Sequence, residues 1–289
     1  MEFLDLSLTD KSWFAPHLML LGEDLSEYSF SNLFLFRDKH RYRLVKEGGY
    51  LFVLGHSYDG LSFLMPTVDL TEASVEVIHR LLHQLKEINM IFPLPESALS
   101  FFPSNQFRLE VLHSDMDYLF TREKLRDFPG RHLHGKRNLA KQFRENYAPV
   151  SIPLDSPDRR KAALSLLSIW QENSSLDPHD TDFYACKEAL QFYEELSLEG
   201  FLIMAGKEPA GFSLGEGICP SVYGLHFAKA DKKFKGVYQY LFSETARLID
   251  SRYQWLNLEQ DLGSVALRAA KSSYRPDKMG KKYRAFLKK

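Results

Sequence analysis

Two carboxylates two residues apart, Glu259 and Asp261, close the stretch Trp255-Leu-Asn-Leu-Glu-Gln-Asp-Leu-Gly263. Period-two alternation puts Trp255, Asn257 and Glu259 on one face of a strand, and Leu256 and Leu258 on the other. The acids then stand at the C-terminal end of a strand, where open α/β-type sheets place ligand groups. Either can accept a proton from an attacking amine or hydroxyl, or hold an ammonium. The competing roles are structural: Asp261 capping the next helix, Glu259 in an ion pair. His226 lies on a neighbouring strand, on the face shared with the small Gly224 and Ala228, with room to reach Glu259. The competing role, a satisfied core histidine, is the commoner one for such a residue. Glu259, Asp261 and His226 are the candidate catalytic groups.

The run from Ala228 to Tyr238 leads from a strand into a helix and carries four lysines, Lys229, Lys232, Lys233 and Lys235. A helix start offers unpaired N–H groups and the positive end of a dipole, so it suits anions. Gly236 would let a ligand approach the backbone, and Lys235 would face a phosphate or a developing negative charge. Acetyl-coenzyme A enzymes carry a Gly-rich version of this junction, from which the bulky Tyr238 departs. Further on, Arg268 and Lys271 fall three apart on one helix face and can hold phosphates, with Lys282 extending the track. In Gly130-Arg-His-Leu-His-Gly-Lys-Arg-Asn138, His134 falls near Arg137 on a helix. His132 and His134 face apart at a spacing of two, so no metal pair is expected.

The elements that must position these groups alternate between helical and extended. Helices are expected at 10–21 and 29–38, and strands at 41–46, 50–54 and 61–65, with Asp59-Gly60 as a hairpin turn. An amphipathic helix starts at Thr71. Strands near 90–93, 107–112 and 117–121 enclose a helix near 96–102, and a basic helix covers 131–147. Pro149, Pro153 and Pro157 mark a change of segment, which sets an expected boundary between residues 1–148 and 149–289. The second part reads as helices at 158–173 and 182–197 and strands at 201–206, 210–216 and 222–229. A helix at 236–250, a strand at 254–259, a helix at 264–272 and a last strand at 280–287 follow. That order is the order of an acyl-CoA N-acyltransferase lobe. The expected class is α+β, with two tandem GNAT-like lobes, each a mixed sheet flanked by helices.

The chain of 289 residues is 44% hydrophobic and 13% aromatic, enough for a core in each half and too apolar for a disordered chain. The net charge of −1 hides two basic stretches: eight Lys/Arg against two acids from Arg122 to Arg144, and nine against Asp277 from Arg268 to Lys289. Each is a solvated face or an anion site. The two cysteines form no CxxC pair, so neither a zinc site nor a disulfide framework is expected. The start of the chain lacks a signal-peptide pattern, and no apolar run reaches the roughly 18 residues that span a bilayer. A cytoplasmic location is expected.

Several stretches together resemble a bacterial family of cytosolic proteins related to the C-terminal domain of phosphatidylglycerol lysyltransferase. They are Ser26-Glu-Tyr-Ser-Phe-Ser-Asn-Leu-Phe34, Gly130 with His134, Lys136, Arg137 and Asn138, and Lys229-Ala-Asp231 with Lys235-Gly-Val-Tyr-Gln239. The most specific is Asn257-x-Glu-Gln-Asp-Leu-Gly263 with Leu267-Arg-x-Ala-Lys271, Ser273-Tyr274 and Pro276. The resemblance covers almost the whole chain and implies a tandem GNAT-like fold. It implies transfer of an amino acid from aminoacyl-tRNA to a lipid or a small soluble acceptor, with the tRNA acceptor end as partner and a transient contact with a membrane surface. Lys229, Asp231, Lys235, Gly236, Tyr238, Asn257, Arg268, Lys271, Tyr274, Lys282, His134 and Arg137 are its candidate binding residues. An acetyl-CoA-dependent N-acetyltransferase and a non-catalytic ligand- or RNA-binding protein are the alternatives.

Overall fold

Along the chain, hairpins and single helices alternate as the hydrophobic periods require. A computed structural model describes residues 1–288, so Lys289 lies outside the described residues. The first elements are β1 (Glu2–Asp5), α1 (Lys11–Leu21), α2 (Phe30–Leu35), α3 (Arg37–His40), β2 (Arg43–Glu47), β3 (Tyr50–His56) and β4 (Ser62–Pro66). There follow α4 (Glu72–Gln84), β5 (Met90–Leu94), β6 (Phe107–Val111), β7 (Asp117–Thr121), α5 (Arg122–Asp127), α6 (His134–Tyr147) and β8 (Val150–Pro153). The remainder is α7 (Pro157–Glu172), α8 (Phe183–Gln191), β9 (Glu199–Ala205), β10 (Glu208–Cys219), β11 (Val222–Ala230), α9 (Val237–Leu248), β12 (Trp255–Asn257), α10 (Val265–Ser272), β13 (Lys278–Gly280) and β14 (Tyr283–Leu287).

Two mixed seven-stranded sheets result, ordered β1-β2-β3-β4-β5-β14-β6 and β13-β7-β12-β11-β10-β9-β8. With helices on them they form the expected α+β pair of GNAT-like lobes. In the first sheet β4 and β5 run parallel and β14 lies antiparallel to both β5 and β6. Helix α4 covers this sheet. Thr71 caps it by accepting from the Ser74 amide at 3.2 Å. Its buried Val77, Ile78 and Leu81 pack with Phe52, Leu64, Ile91, Phe102 and Phe107. In the second sheet β9, β10 and β11 form an antiparallel meander and β11 runs parallel to β12. Phe212, Leu214 and Phe227 are buried there, as are Leu166, Leu167 and Leu241 of α7 and α9.

The division of the chain differs from a single boundary at 148/149. One compact unit comprises Met1–Tyr118, Gln260–Ala269 and the C-terminal stretch from Met279; the other comprises Leu119–Glu259 and Ala270–Lys278. The reason lies in the pairing. The last strand, expected as one piece over 280–287, is broken into β13 and β14, and β14 completes the first sheet between β5 and β6. Conversely β7, late in the first half, pairs with β12. The helix expected over 182–197 ends at Gln191, and the strand expected over 254–259 ends at Asn257. Among the described residues no helix is long and apolar enough to cross a membrane.

Inside the first unit, Lys282 is fully buried. Its Nζ lies 2.6 Å from Glu27 Oε2 and 2.7 Å from Asp117 Oδ1, and donates to Ser26 Oγ and Gln260 Oε1, each at 3.0 Å. Burial alone would drive the ammonium toward deprotonation; Asp117 and Glu27 outweigh it and raise its pKa. Burial also raises the Glu27 carboxyl to about 7, against the pull of Lys282 and with the push of Asp117. Lys282→Met leaves these carboxylates buried without their cation, so urea unfolding of the first unit should show a loss of about 3–5 kcal/mol. Lys281→Met, at the exposed neighbour, should change stability by about 0.5 kcal/mol or less.

Candidate functional site

In the second unit, β11 and β12 are paired from Val222↔Trp255 to Gly224↔Asn257. Beyond this point β11 continues to Ala230 while β12 stops, so the two parallel strands part at their C-terminal ends. His226 lies just past the last pair. On its other side the register with β10 shifts between Leu214 and Gly215, a bulge that skips His226 and sets Glu216 opposite Gly224. The imidazole is thereby held between two acids. Its Nδ1 lies 2.8 Å from Glu259 Oε1 and its Nε2 3.3 Å from Glu216 Oε1.

A carboxylate only accepts, and a neutral imidazole has only one N–H. Satisfying both acids therefore takes an imidazolium. Burial works against the charge, but the hydrogen bonds and negative charges of Glu216 and Glu259 prevail and raise the His226 pKa to about 10. The His226 side chain is 0% exposed, whereas those of Glu216 and Glu259 are 16% and 15% exposed. The acids therefore reach solvent and the imidazole does not. His226 was expected among the catalytic groups; its full burial makes it the residue that fixes the two carboxylates. Both its nitrogens are taken, and among the described residues no group of His, Cys, Asp or Glu side chains is arranged to hold a metal.

Glu259 adopts a left-handed backbone, φ 58°, which is uncommon away from glycine. Its amide donates to Asn257 Oδ1 at 2.7 Å, so Asn257 shapes the turn from within the core. Lys271 donates to the carbonyls of Leu258 and Glu259 at 2.6 and 3.2 Å. Its ammonium thus holds protein carbonyls in place of the phosphate expected for it.

Other expected site residues are spent on structure. In the first unit the buried Asp261 accepts from Tyr118 Oη at 2.7 Å, from the Gly263 amide at 2.9 Å, and from Arg268 Nε and Nη2 at 2.8 and 3.1 Å. Burial pushes its pKa up, but Arg268, Tyr118 and the Gly263 amide bring it to about 2. Asp261 is thus a turn and helix anchor closed to substrate, and the Arg268 fork is committed to it. Lys282 belongs to the buried cluster described above, with its side chain closed to solvent.

In the second unit Lys229 is buried, 2.5 Å from Asp182 Oδ1 and with its Nζ 3.7 Å from the centroid of the Trp170 ring. Asp231 is buried and accepts from the Lys233 amide at 2.9 Å. Gly236, φ 88°, caps α9, and a Cβ there would run into the Leu139 carbonyl of α6. The glycine thus permits close packing of α9 on α6. Tyr238 is half-buried, and burial raises its pKa. Tyr274 is buried against Phe128 and Phe242 and accepts from Gln239 Nε2 at 3.0 Å. Arg137 donates to the Phe128 and Gly130 carbonyls. Lys235 and His134 are exposed.

The structure thus joins His226, Glu259, Asn257 and Lys271 and adds Glu216, which the sequence reading passed over. The available signal was the hairpin of β10 and β11: pairing through Pro220-Ser221 puts Glu216 beside the histidine strand. The pH dependence follows from His226. Its unfolded value is 6.5 and its folded value about 10, so its stabilisation is complete below pH 6.5 and is lost as pH rises toward 10. Denaturant unfolding should show a falling contribution of about 1.4 kcal/mol per pH unit across that window, absent in His226→Gln.

Comparison with known proteins bears on the family and the fold. The family model described as phosphatidylglycerol lysyltransferase, C-terminal, matches residues 18–286. A conserved protein of unknown function from Bacteroides thetaiotaomicron VPI-5482 is similar over 100% of both chains, with a TM-score of 0.88 and 25% identity. L-PGS from Bacillus licheniformis is similar in fold, with a TM-score of 0.60 and 14% identity over 92% of this chain and 93% of that chain. An uncharacterized protein of Mycoplasmoides gallisepticum is 26% identical over 193 residues, 62% of this chain, and the chain spans 59% of that relative's length. Family and fold together support an acyltransferase-like function. The chain belongs to the family of the phosphatidylglycerol lysyltransferase C-terminal domain.

Proposed function

We propose that this chain moves an aminoacyl group from aminoacyl-tRNA to a hydroxyl or amine acceptor, a lipid or a small soluble molecule, and that Glu216 and Glu259 hold the ammonium of that group. One observation carries the reading. Two carboxylates flank one buried imidazolium, and the side chains of both acids stay partly exposed, 16% and 15%, where that of His226 is not. Such a site favours a cation. An aminoacyl ester carries one beside its reactive carbonyl; an acetyl thioester carries none.

The ester is already activated, so the protein's task is to place it and the acceptor. The acceptor oxygen or nitrogen bonds to the carbonyl carbon, the bond from that carbon to the ribose oxygen breaks, and the acceptor proton ends on the departing ribose oxygen. With His226 at about 10, the cluster does not exchange its proton near neutrality. It acts by orientation and electrostatics more than as a general base.

The acetyl-CoA reading needs an open helix start for pyrophosphate. At α9 the Leu139 carbonyl packs against Gly236, and Lys229 is bound to Asp182. A carbonyl oxygen repels a phosphate. His134, Arg137 and Lys235 remain the candidates for tRNA phosphates. A cytoplasmic location, and a transient membrane contact where the acceptor is a lipid, belong to the same proposal.

Charged tRNA carrying labelled amino acids, offered with a free or an N-acetylated α-amine, tests the ammonium site. N-acetylation should cut transfer about tenfold to a hundredfold, the worth of one charge-assisted hydrogen bond. The double variant Glu216→Gln, Glu259→Gln should lose a similar factor with the free donor and ignore acetylation. Equal transfer from both donors, or transfer from acetyl-CoA with micromolar binding, overturns the reading.

A further inference from the structure

In an extended strand, successive carbonyls point to opposite edges. The carbonyls of Leu258 and Glu259 nonetheless both accept from one ammonium, that of Lys271, at 2.6 and 3.2 Å. One nitrogen can reach both only because the chain curls, and the curl is the left-handed conformation of Glu259, φ 58°. For a residue with a side chain that conformation costs about 1 kcal/mol or more, and it persists only where neighbours impose it. Two groups impose it here: Asn257 Oδ1 on the Glu259 amide, and Lys271 on the two carbonyls.

The consequence reaches the carboxylate. Extended backbone sends side chains alternately to the two faces, so the turn at Glu259 decides where its carboxylate points. As built, Oε1 lies 2.8 Å from His226 Nδ1. We propose that Lys271 is a positioning residue: its ammonium holds the turn that delivers the Glu259 carboxylate to His226 and to the substrate face. The role for substrate rests on the reading of Glu216 and Glu259 as the ammonium site; the delivery to His226 does not. The lysine is placed as a support for the turn. It acts through the backbone, as a cation satisfying two carbonyls at a strand end that no neighbouring strand pairs.

Lys271→Met, Lys271→Gln and Lys271→Arg in the full chain test this, with two readouts. The first is the titration of the His226 ring, followed by proton–nitrogen correlation spectra. Lys271→Met and Lys271→Gln should lower its midpoint by about one to three pH units, the effect of losing one adjacent opposite charge. Lys271→Arg, which can donate to both carbonyls, should restore it. The second readout is aminoacyl transfer: KM for the donor should rise about tenfold or more in the first two variants and recover in the third. An unmoved His226 titration in a folded Lys271→Met or Lys271→Gln chain overturns the positioning role, whatever happens to transfer. A lowered titration in a chain whose parent shows no transfer supports the positioning role and overturns the functional reading instead.

Discussion

His226 has a carboxylate on each ring nitrogen, and this one arrangement constrains the whole C-terminal end of the second sheet. The acids come from two other strands or strand ends: Glu216 from β10 and Glu259 from the turn after β12. If either acid moves away, an imidazolium is left buried with one N–H unpaired; if the proton leaves, a carboxylate faces a lone pair. Both outcomes are costly in a low-dielectric interior. The bulge in β10 and the left-handed turn at Glu259 are the local distortions that this three-membered cluster demands. Neither follows from strand propensity, and both occur where the parallel strands part.

Cations elsewhere in the chain behave alike. Lys282 is enclosed by Glu27 and Asp117, Lys229 by Asp182 and Trp170, Arg268 is forked on Asp261, and Arg284 bonds Asp115 and Asp59. Desolvation offsets much of the Coulomb attraction in such pairs, so they do more to select one arrangement than to add stability. The segment beginning at Arg268 returns to the first sheet, and several of its basic residues are ties that seat it there. A cluster of like charges in a sequence thus need not be a field presented to a ligand.

The periodic parts of the chain were legible in the sequence. The hairpin at Asp59-Gly60, the amphipathic helix that begins at Thr71 and the meander of β9 to β11 follow from patterns a few residues long, and each is present. That His226 and Glu259 could meet was also legible, from the small Gly224 and Ala228 beside the histidine, but strand alternation did not place the acid: β12 stops at Asn257 and the left-handed turn at Glu259 aims it. Asp261 shows the limit. Its spacing from Glu259 made both acids catalytic candidates, yet the fold buries one on a tyrosine and an arginine and leaves the other at a half-open edge.

What the sequence settled alone was the class of the longer periodic elements, since these depend on backbone periods of two and about 3.6 residues; the short β1, α5 and β8 carried too few residues to show a period. The tertiary structure decided the partners: Lys282 with Glu27 across 255 residues, His226 with Glu259 across 33, and β14 between β5 and β6. A charge does not carry the address of its counter-charge in its neighbours. Only closure of the sheets brings the two together, and only then does a lysine become a tie, or an acid a site.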